Sequence, residues 1–149
     1  MTVQASERPH TLTLKNGLPP KPTFSDEEMT RRCTALRAEM TALDIQAAVL
    51  TSMHCVNYFA DFVYTAFGRN YGCVITQERL STISANIDGG QPWRQTFGHD
   101  NLVYTDWHKD NFFVAVKQLV GSAKRVGIES DHLTLQNHVK LQQALPGVE

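Results

Sequence analysis

The clearest pattern of apolar and polar positions lies in the first third of the chain. Apolar side chains recur there at spacings of three and four residues, which places them on one face of a helix: Met29, Cys33, Leu36, Met40 and Leu43. Ser25 and Glu28 fit a capping box at the start of this helix. Arg31 and Arg32 fall mostly off the apolar face, so we expect them to be hydrated. The pattern predicts an amphipathic helix that ends near Asp44.

Short apolar runs alternate with amphipathic segments along the rest of the chain. Five runs fit β-strands: 47–51, 71–76, 80–84, 101–105 and 125–129. Three more segments fit helices: a single turn within 54–60, and longer helices at 110–120 and 133–144. Alternating strands and helices predict an α/β fold, with a mixed β-sheet flanked by helices.

The 149 residues have the length of one domain, which can bury roughly two thirds of the surface that the unfolded chain exposes. Residues 1–23 are polar and proline-rich, and we expect them to form an extended N-terminal lead-in to an α/β domain at 24–149. The sequence stops at LPGVE, directly after a turn signal, where an αβ unit would continue into a strand. We therefore expect one domain of a longer polypeptide.

Charge and composition exclude several classes of partner. Lys and Arg number 14 against 15 Asp and Glu, without a basic stripe, so we expect no nucleic-acid binding. No apolar run approaches the roughly 20 residues of a membrane span, so we expect no membrane partner. The N-terminal residues lack the apolar segment of a secretory signal, and the three cysteines stand far apart. These features predict a cytoplasmic protein.

Candidate catalytic groups are sparse. The six histidines form no HExxH or HxH pattern, which predicts neither a metal site nor a cofactor. His54 and Cys55 are neighbours, but no third group is evident that would orient them as base and nucleophile. Asp106 and Asp110 flank a predicted helix start, where capping accounts for them. We therefore expect no catalytic residues in this chain.

One charged position stands out against this background. Arg69 lies in the stretch FGRNYG, between aromatic residues and two glycines, with apolar residues on both sides. Such an arginine is either a hydrated loop charge or a group aimed at an anion that the chain itself does not carry. The residue pattern leaves both readings open.

Taken together, five segments make the chain resemble the N-terminal domain of the creatinase family, within the pita-bread superfamily that also contains aminopeptidases acting before proline. They are TFSDEE (23–28), NYFADFVYTAFGRNYG (57–72), ISANIDGGQPWRQT (83–96), NLVYTDWHKDNFF (101–113) and GIESDHLTLQN (127–137). The resemblance covers nearly all of residues 11–149.

The resemblance implies a function that the residue pattern alone does not. In that family an N-terminal α/β domain precedes a larger catalytic pita-bread domain, which is absent from this chain. The family reaction hydrolyses creatine to sarcosine and urea without a metal or other cofactor. It proceeds in a homodimer, where the N-terminal domain completes the partner subunit's substrate site. The completing phenylalanine and arginine correspond to Phe67 and Arg69, which the resemblance implies are substrate-binding residues.

Departures from the family pattern keep alternatives open. Asn70 stands where a relative carries proline, and Gly72-Cys73 also differs, which puts the rigidity of the loop in question. The alternatives are the N-terminal domain of an Xaa-Pro peptidase, an amidinohydrolase for another guanidino acid, or a non-enzymatic module that binds peptides or histones. A histone partner would favour acidic patches, and the net charge of −1 gives that reading little support.

Overall fold

A computed structural model describes residues 8–15, 17–64, 68–91 and 94–149. In these ranges the strands are β1 (Thr11–Leu12), β2 (Ala47–Leu50), β3 (Gly72–Thr76), β4 (Leu80–Ala85), β5 (Asp100–Tyr104) and β6 (Val126–Ile128). The helices are α1 (Asp26–Ala42), α2 (Met53–Ala60), α3 (Asn111–Val120) and α4 (Leu135–Ala144), with a short 3₁₀ turn at Asn86–Asp88. The α/β class predicted from the sequence is confirmed.

The strands form one mixed sheet in the order β1-β5-β4-β3-β2-β6. Antiparallel pairing joins β1 to β5 and β3 to both β4 and β2, whereas β4–β5 and β2–β6 are parallel. Strands β3 and β4 form a hairpin, which aligns Val74 with Ser81 and Ile75 with Leu80. The chain passes directly from β4 to its parallel neighbour β5, whereas β6 reaches its parallel neighbour β2 only after β3, β4, β5 and the helix α3.

The core follows the middle of the sheet. Every residue of β2 and β4 is buried, as is nearly all of β3, so these strands are covered on both faces. Strand β2 is a continuous apolar run, whereas β4 also buries Ser81, Thr82 and Ser84. The largest fully buried side chains on these strands are Val74, Ile75, Leu80 and Ile83. Helix α1 packs against α2, and α3 packs against α4 and the sheet. None of the helices within the described ranges is long and apolar enough to cross a membrane.

Helix α1 begins as the sequence predicts, because the Ser25 hydroxyl accepts a hydrogen bond from the Glu28 backbone N–H at 3.3 Å. The expectation that Arg32 is hydrated is wrong, since this side chain is only 7% exposed. Its guanidinium lies over the rings of Phe24 and Tyr58, at 4.0 and 4.3 Å from their centroids. It also donates to the Tyr58 carbonyl at 2.9 Å. Cation–π contact therefore fastens α1 to α2.

The N-terminal segment contributes an edge strand that the sequence patterns did not predict. Its short ladder is extended where the Thr105 N–H donates to the His10 carbonyl at 2.9 Å. The Trp107 indole N–H and the Thr105 hydroxyl both donate to the Pro9 carbonyl, at 2.9 and 2.6 Å. Asn111, almost fully buried, bonds the His10 ring at 2.6 Å and the Thr105 carbonyl at 3.1 Å. The segment between β5 and α3 therefore anchors β1.

Candidate functional site

The loop that carries Arg69 enters β3, in the centre of the sheet. Gly68 has a φ of 72°, a left-handed conformation that glycine adopts without strain. At Gly72 a Cβ atom would lie 2.8 Å from the Leu50 carbonyl oxygen, so the first residue of β3 must be small. Phe67, the other residue that the resemblance assigns to substrate, lies outside the described residues. The site is therefore built from Arg69 outward.

Arg69 forms an ion pair with the loop after β5. Its Nε donates to Asp106 Oδ1 at 3.0 Å, while the Arg69 side chain remains 38% exposed. Within the described residues, its two terminal Nη nitrogens have no hydrogen-bond partner. The prediction that Asp106 serves as a helix cap is wrong, because its carboxylate contacts this guanidinium. The ion pair fixes the Nε side of the guanidinium and leaves the two Nη nitrogens open to a ligand.

The neighbouring residue, Asn70, ties the same loop to α4. Its side-chain oxygen accepts from Asn137 Nδ2 of that helix at 3.3 Å. Burial, with a smaller contribution from the Asp106 carboxylate, raises the pKa of Tyr104 to about 12, so this phenol stays protonated. Asp106 and α4 thus hold residues 69 and 70.

Two clefts meet at this loop. The polar cleft, of about 480 Å³, lies between the loop, the β5–α3 connection and α4. The charged side chains that line it are Arg69, Asp106, Lys109, Asp110 and Lys140. The apolar cleft, of about 610 Å³, lies on the other side and is lined by Met53, Val63, Tyr64, Tyr71, Phe112 and Leu133 among others. Arg69 lines both clefts, so a ligand in either one meets its guanidinium.

The polar cleft favours an anion. Its three cationic and two carboxylate side chains leave a formal excess of one positive charge. Asp110 is already neutralised by Lys140, whose Nζ contacts its Oδ1, and it makes no side-chain hydrogen bond at the start of α3. Asp110 occupies the predicted N-cap position of α3, but its side chain does not donate or accept a capping hydrogen bond there. Lys109 has no ion-pair partner among the described residues.

A second polar cluster lies at the start of α2, beside the apolar cleft. Glu129, directly after β6, accepts hydrogen bonds from the backbone N–H groups of Thr51 and Ser52, and from the Ser52 hydroxyl at 2.6 Å. Partial burial raises the pKa of Glu129, but the hydrogen bonds that it accepts outweigh this and bring the pKa below its usual value. His132 contacts the Thr51 hydroxyl at 2.9 Å. This cluster was not identified from sequence, and its contacts join β6 to the β2–α2 turn.

The cysteines show no activated thiol. Burial raises the pKa of Cys33, Cys55 and Cys73, and the nearby Glu129 carboxylate raises the pKa of Cys55 further. A thiol of raised pKa is a poor nucleophile at neutral pH. Within the described residues, no group of three or more His, Cys, Asp or Glu side chains could hold a metal ion.

Asp106 is the main site residue that sequence reasoning missed. The local sequence YTDWHKDN suggested a helix start, and nothing in it indicates that residues 69 and 106 meet across 37 positions. The contact follows from the sheet order, which brings the ends of β5 and the start of β3 to the same region with β4 between them. Tyr71, in the same FGRNYG stretch as Arg69, is buried and stacks on Tyr64 with ring centroids 4.4 Å apart.

Comparison with known proteins matches these features to one domain type. The model of the Creatinase/Prolidase N-terminal domain matches residues 32–149. A creatinase from Bacillus sp. (strain B-0618) is 48% identical over 98% of the chain. The chain spans 36% of the length of that relative.

Solved structures agree on the fold. The creatinase/prolidase N-terminal domain of an X-Pro dipeptidase from Streptococcus pyogenes superposes with a TM-score of 0.69 at 16% identity, covering 79% of this chain and 90% of that one. An Xaa-Pro dipeptidase from Bacillus anthracis gives a TM-score of 0.64 at 22% identity, over 80% of this chain and 32% of that one. At these identities the likeness is one of fold.

Proposed function

This chain belongs to the creatinase/prolidase N-terminal domain family, and from that premise we propose that it is the N-terminal domain of a creatine amidinohydrolase. The whole protein would hydrolyse creatine, with water, to sarcosine and urea. Its catalytic groups would lie in a separate pita-bread domain, and the protein would act as a cytoplasmic homodimer. This chain would contribute to dimerisation and would complete the partner subunit's substrate site through Phe67 and Arg69.

The placement of Arg69 is the observation that supports this proposal most directly. Its guanidinium is partly exposed at the junction of two clefts, and the two Nη nitrogens are open within the described residues. A planar fork with two parallel donors suits a carboxylate and keeps its charge at any physiological pH. Creatine carries one carboxylate. The 48% identity to a creatinase favours creatine over the other guanidino acids considered.

The ion pair with Asp106 does not remove Arg69 from reach. A guanidinium buried against its own domain's carboxylate would be unable to meet a ligand held by another subunit. Here the contact uses Nε alone, and both partners remain partly exposed, at 38% for Arg69 and 30% for Asp106. Phe67 would supply an apolar wall next to this group, a role that rests on the resemblance.

The proposal is tested by Arg69→Ala in the full-length polypeptide, with creatine as substrate. Charge-assisted hydrogen bonds contribute roughly 1.5–3 kcal/mol each, so losing two of them should lower kcat/KM by about 100-fold or more. Arg79→Ala is the matched control, because Arg79 also pairs with a carboxylate at 3.0 Å, is 56% exposed, and lines neither cleft. We expect the control to keep its kcat/KM within about 2-fold, and both variants to keep their unfolding midpoints.

Two results would contradict the proposal. Equal kcat/KM values for wild type and the Arg69 variant would remove Arg69 from the substrate site. Creatine hydrolysis by residues 1–149 alone would contradict the assignment of all catalytic groups to another domain. The main alternative is an Xaa-Pro peptidase of the same fold, which would show metal-dependent cleavage of an Xaa-Pro dipeptide by the full-length protein and no release of urea from creatine.

A further inference from the structure

The contact between Arg69 and Asp106 divides the guanidinium into two edges with different surroundings. The Nε–H is occupied by Asp106 Oδ1 at 3.0 Å, and the end-on pair of Nη nitrogens is open within the described residues. We propose that Asp106 is a positioning residue, which holds Nε so that the Nη pair presents two parallel donors to the substrate carboxylate. This inference rests on the proposed function of Arg69 and adds a residue that the family resemblance does not assign.

Asp106 stands on a backbone that is itself well fixed. The preceding residue, Thr105, is buried directly after β5, and its hydroxyl donates to the Pro9 carbonyl at 2.6 Å. The Asn111 side-chain amide donates to the Thr105 carbonyl at 3.1 Å. Because this backbone is fixed, the Asp106 carboxylate that it carries holds the Nε of Arg69 in one position. A long side chain like that of Arg69 otherwise loses rotamer freedom only when the ligand arrives, at a cost to affinity.

Charge alone would argue against this aspartate at an anion site. Its carboxylate cancels the formal charge of Arg69 and so weakens the attraction of the polar cleft for an anion. The two roles therefore predict opposite changes in substrate affinity when the Asp106 carboxylate is removed. Removal of the carboxylate should weaken substrate binding if Asp106 positions Arg69, and should strengthen it if Asp106 only offsets the charge.

Two substitutions separate the acceptor from the charge. Asp106→Asn keeps a side-chain oxygen that can accept from Nε but removes the negative charge. Asp106→Ala removes both. If Asp106 positions Arg69, the asparagine variant should retain most of the substrate affinity and carboxylate preference that the alanine variant loses. Asp100→Ala is the matched control, because Asp100 accepts from Arg79 at the same 3.0 Å and lies outside both clefts.

The experiment uses the full-length polypeptide and two competitive inhibitors, 3-guanidinopropionate and its carboxamide, together with creatine kinetics. The ratio of the two inhibition constants reports how well the protein recognises a carboxylate, and a change in folding alone would not alter this ratio. We expect Asp106→Ala to raise KM for creatine and to lower carboxylate preference, each by about 3- to 10-fold, the loss expected for one side chain no longer fixed. We expect Asp106→Asn to stay within about 2-fold of wild type, as should the Asp100 control.

The outcomes separate this inference from the function on which it rests. If Arg69→Ala lowers kcat/KM and the carboxylate preference but Asp106→Ala does not, the positioning role is overturned while the role of Arg69 stands. Equal losses in the alanine and asparagine variants, or tighter carboxylate binding in the alanine variant, would also overturn it. If Arg69→Ala has no effect on either quantity, the proposed function itself fails, and the inference fails with it.

Discussion

Replacing Glu129 removes a carboxylate that accepts three hydrogen bonds. Both of its oxygens accept hydrogen bonds from the turn between β2 and α2, namely two from backbone N–H groups and one from the Ser52 hydroxyl. Ser52 caps α2 by accepting from the Cys55 N–H at 3.1 Å, so Glu129 supports the group that starts the helix. Because a carboxylate at a helix N-terminus also complements the macrodipole, its loss should destabilise the domain.

The size of the effect follows from the number and kind of these bonds. Hydrogen bonds to charged groups contribute about 1.5–3 kcal/mol each when buried, and Glu129 is only partly buried, so we expect Glu129→Ala to cost about 2–3 kcal/mol in total. For a domain of this size, that corresponds to a fall in Tm of roughly 4–12 °C. Glu129→Gln retains an acceptor for the backbone N–H groups and a donor for Ser52. Its expected cost, mainly lost charge, is about 1 kcal/mol.

The stability that Glu129 contributes should fall as the pH becomes acidic. The pKa of folded Glu129 lies below its usual value because the accepted hydrogen bonds outweigh the effect of burial. A carboxylate of lowered pKa contributes stability that is fully present above the unfolded value of about 4.3, and loses it as pH falls through the folded pKa. The difference in unfolding free energy between wild type and Glu129→Gln should therefore be constant near neutrality and shrink below about pH 4.

Urea denaturation followed by circular dichroism measures the unfolding free energy of each variant and its dependence on pH. Glu39→Gln is the control, because Glu39 lies exposed on α1 and its side chain has no partner among the described residues. We expect the control to change the unfolding free energy by less than about 0.5 kcal/mol. A Glu129→Ala variant as stable as the control would refute the reasoning, and so would a Glu129→Gln difference that does not change between pH 7 and pH 3.

Two further predictions concern packing, and both use urea denaturation. Arg32→Ala should cost about 3 kcal/mol of unfolding free energy, because this cation is buried between two rings. Arg31→Ala should cost less than about 1 kcal/mol, because the Arg31 side chain is 63% exposed. Similar costs for the two variants would contradict the cation–π assignment. Gly72→Ala should cost about 1–3 kcal/mol because its Cβ would meet the Leu50 carbonyl at 2.8 Å, whereas at Gly127 the nearest atoms are 3.5 Å away and alanine should be tolerated. A neutral Gly72→Ala would show that β2 and β3 can separate locally.

Most of the fold could be predicted from periodicity because local pattern and burial agree. The apolar runs at β2 and β3 have the length and bounding turn residues of covered strands, and α1 carries its own N-cap at Ser25. The edge strand β1 could not be predicted in this way. It is two residues long and is held by Asn111 and Trp107, about 100 positions away, so no local pattern encodes the pairing.

The site was predictable only in part, for a related reason. Arg69 stood out because a fixed charge between aromatic residues is locally unusual. Its partner Asp106 did not, because an aspartate before a helix has an ordinary local explanation, capping, that the structure replaces with a contact across the sheet. The same holds for Arg32, whose place on the helical wheel predicts hydration. Its burial depends on the rings of Phe24 and Tyr58, which lie outside that helix's own pattern.

The departure at Asn70 illustrates how a loop can be held without proline. Proline restricts φ and stiffens a chain through the unfolded state, whereas asparagine supplies no such restriction. Asn70 instead accepts a hydrogen bond from Asn137 Nδ2 of α4 through its side-chain oxygen, at 3.3 Å. The loop is therefore tied to α4 by a side-chain contact that proline could not make. Because α4 holds Asn70 and Asp106 holds Arg69, the position of Arg69 is coupled to two walls of the polar cleft.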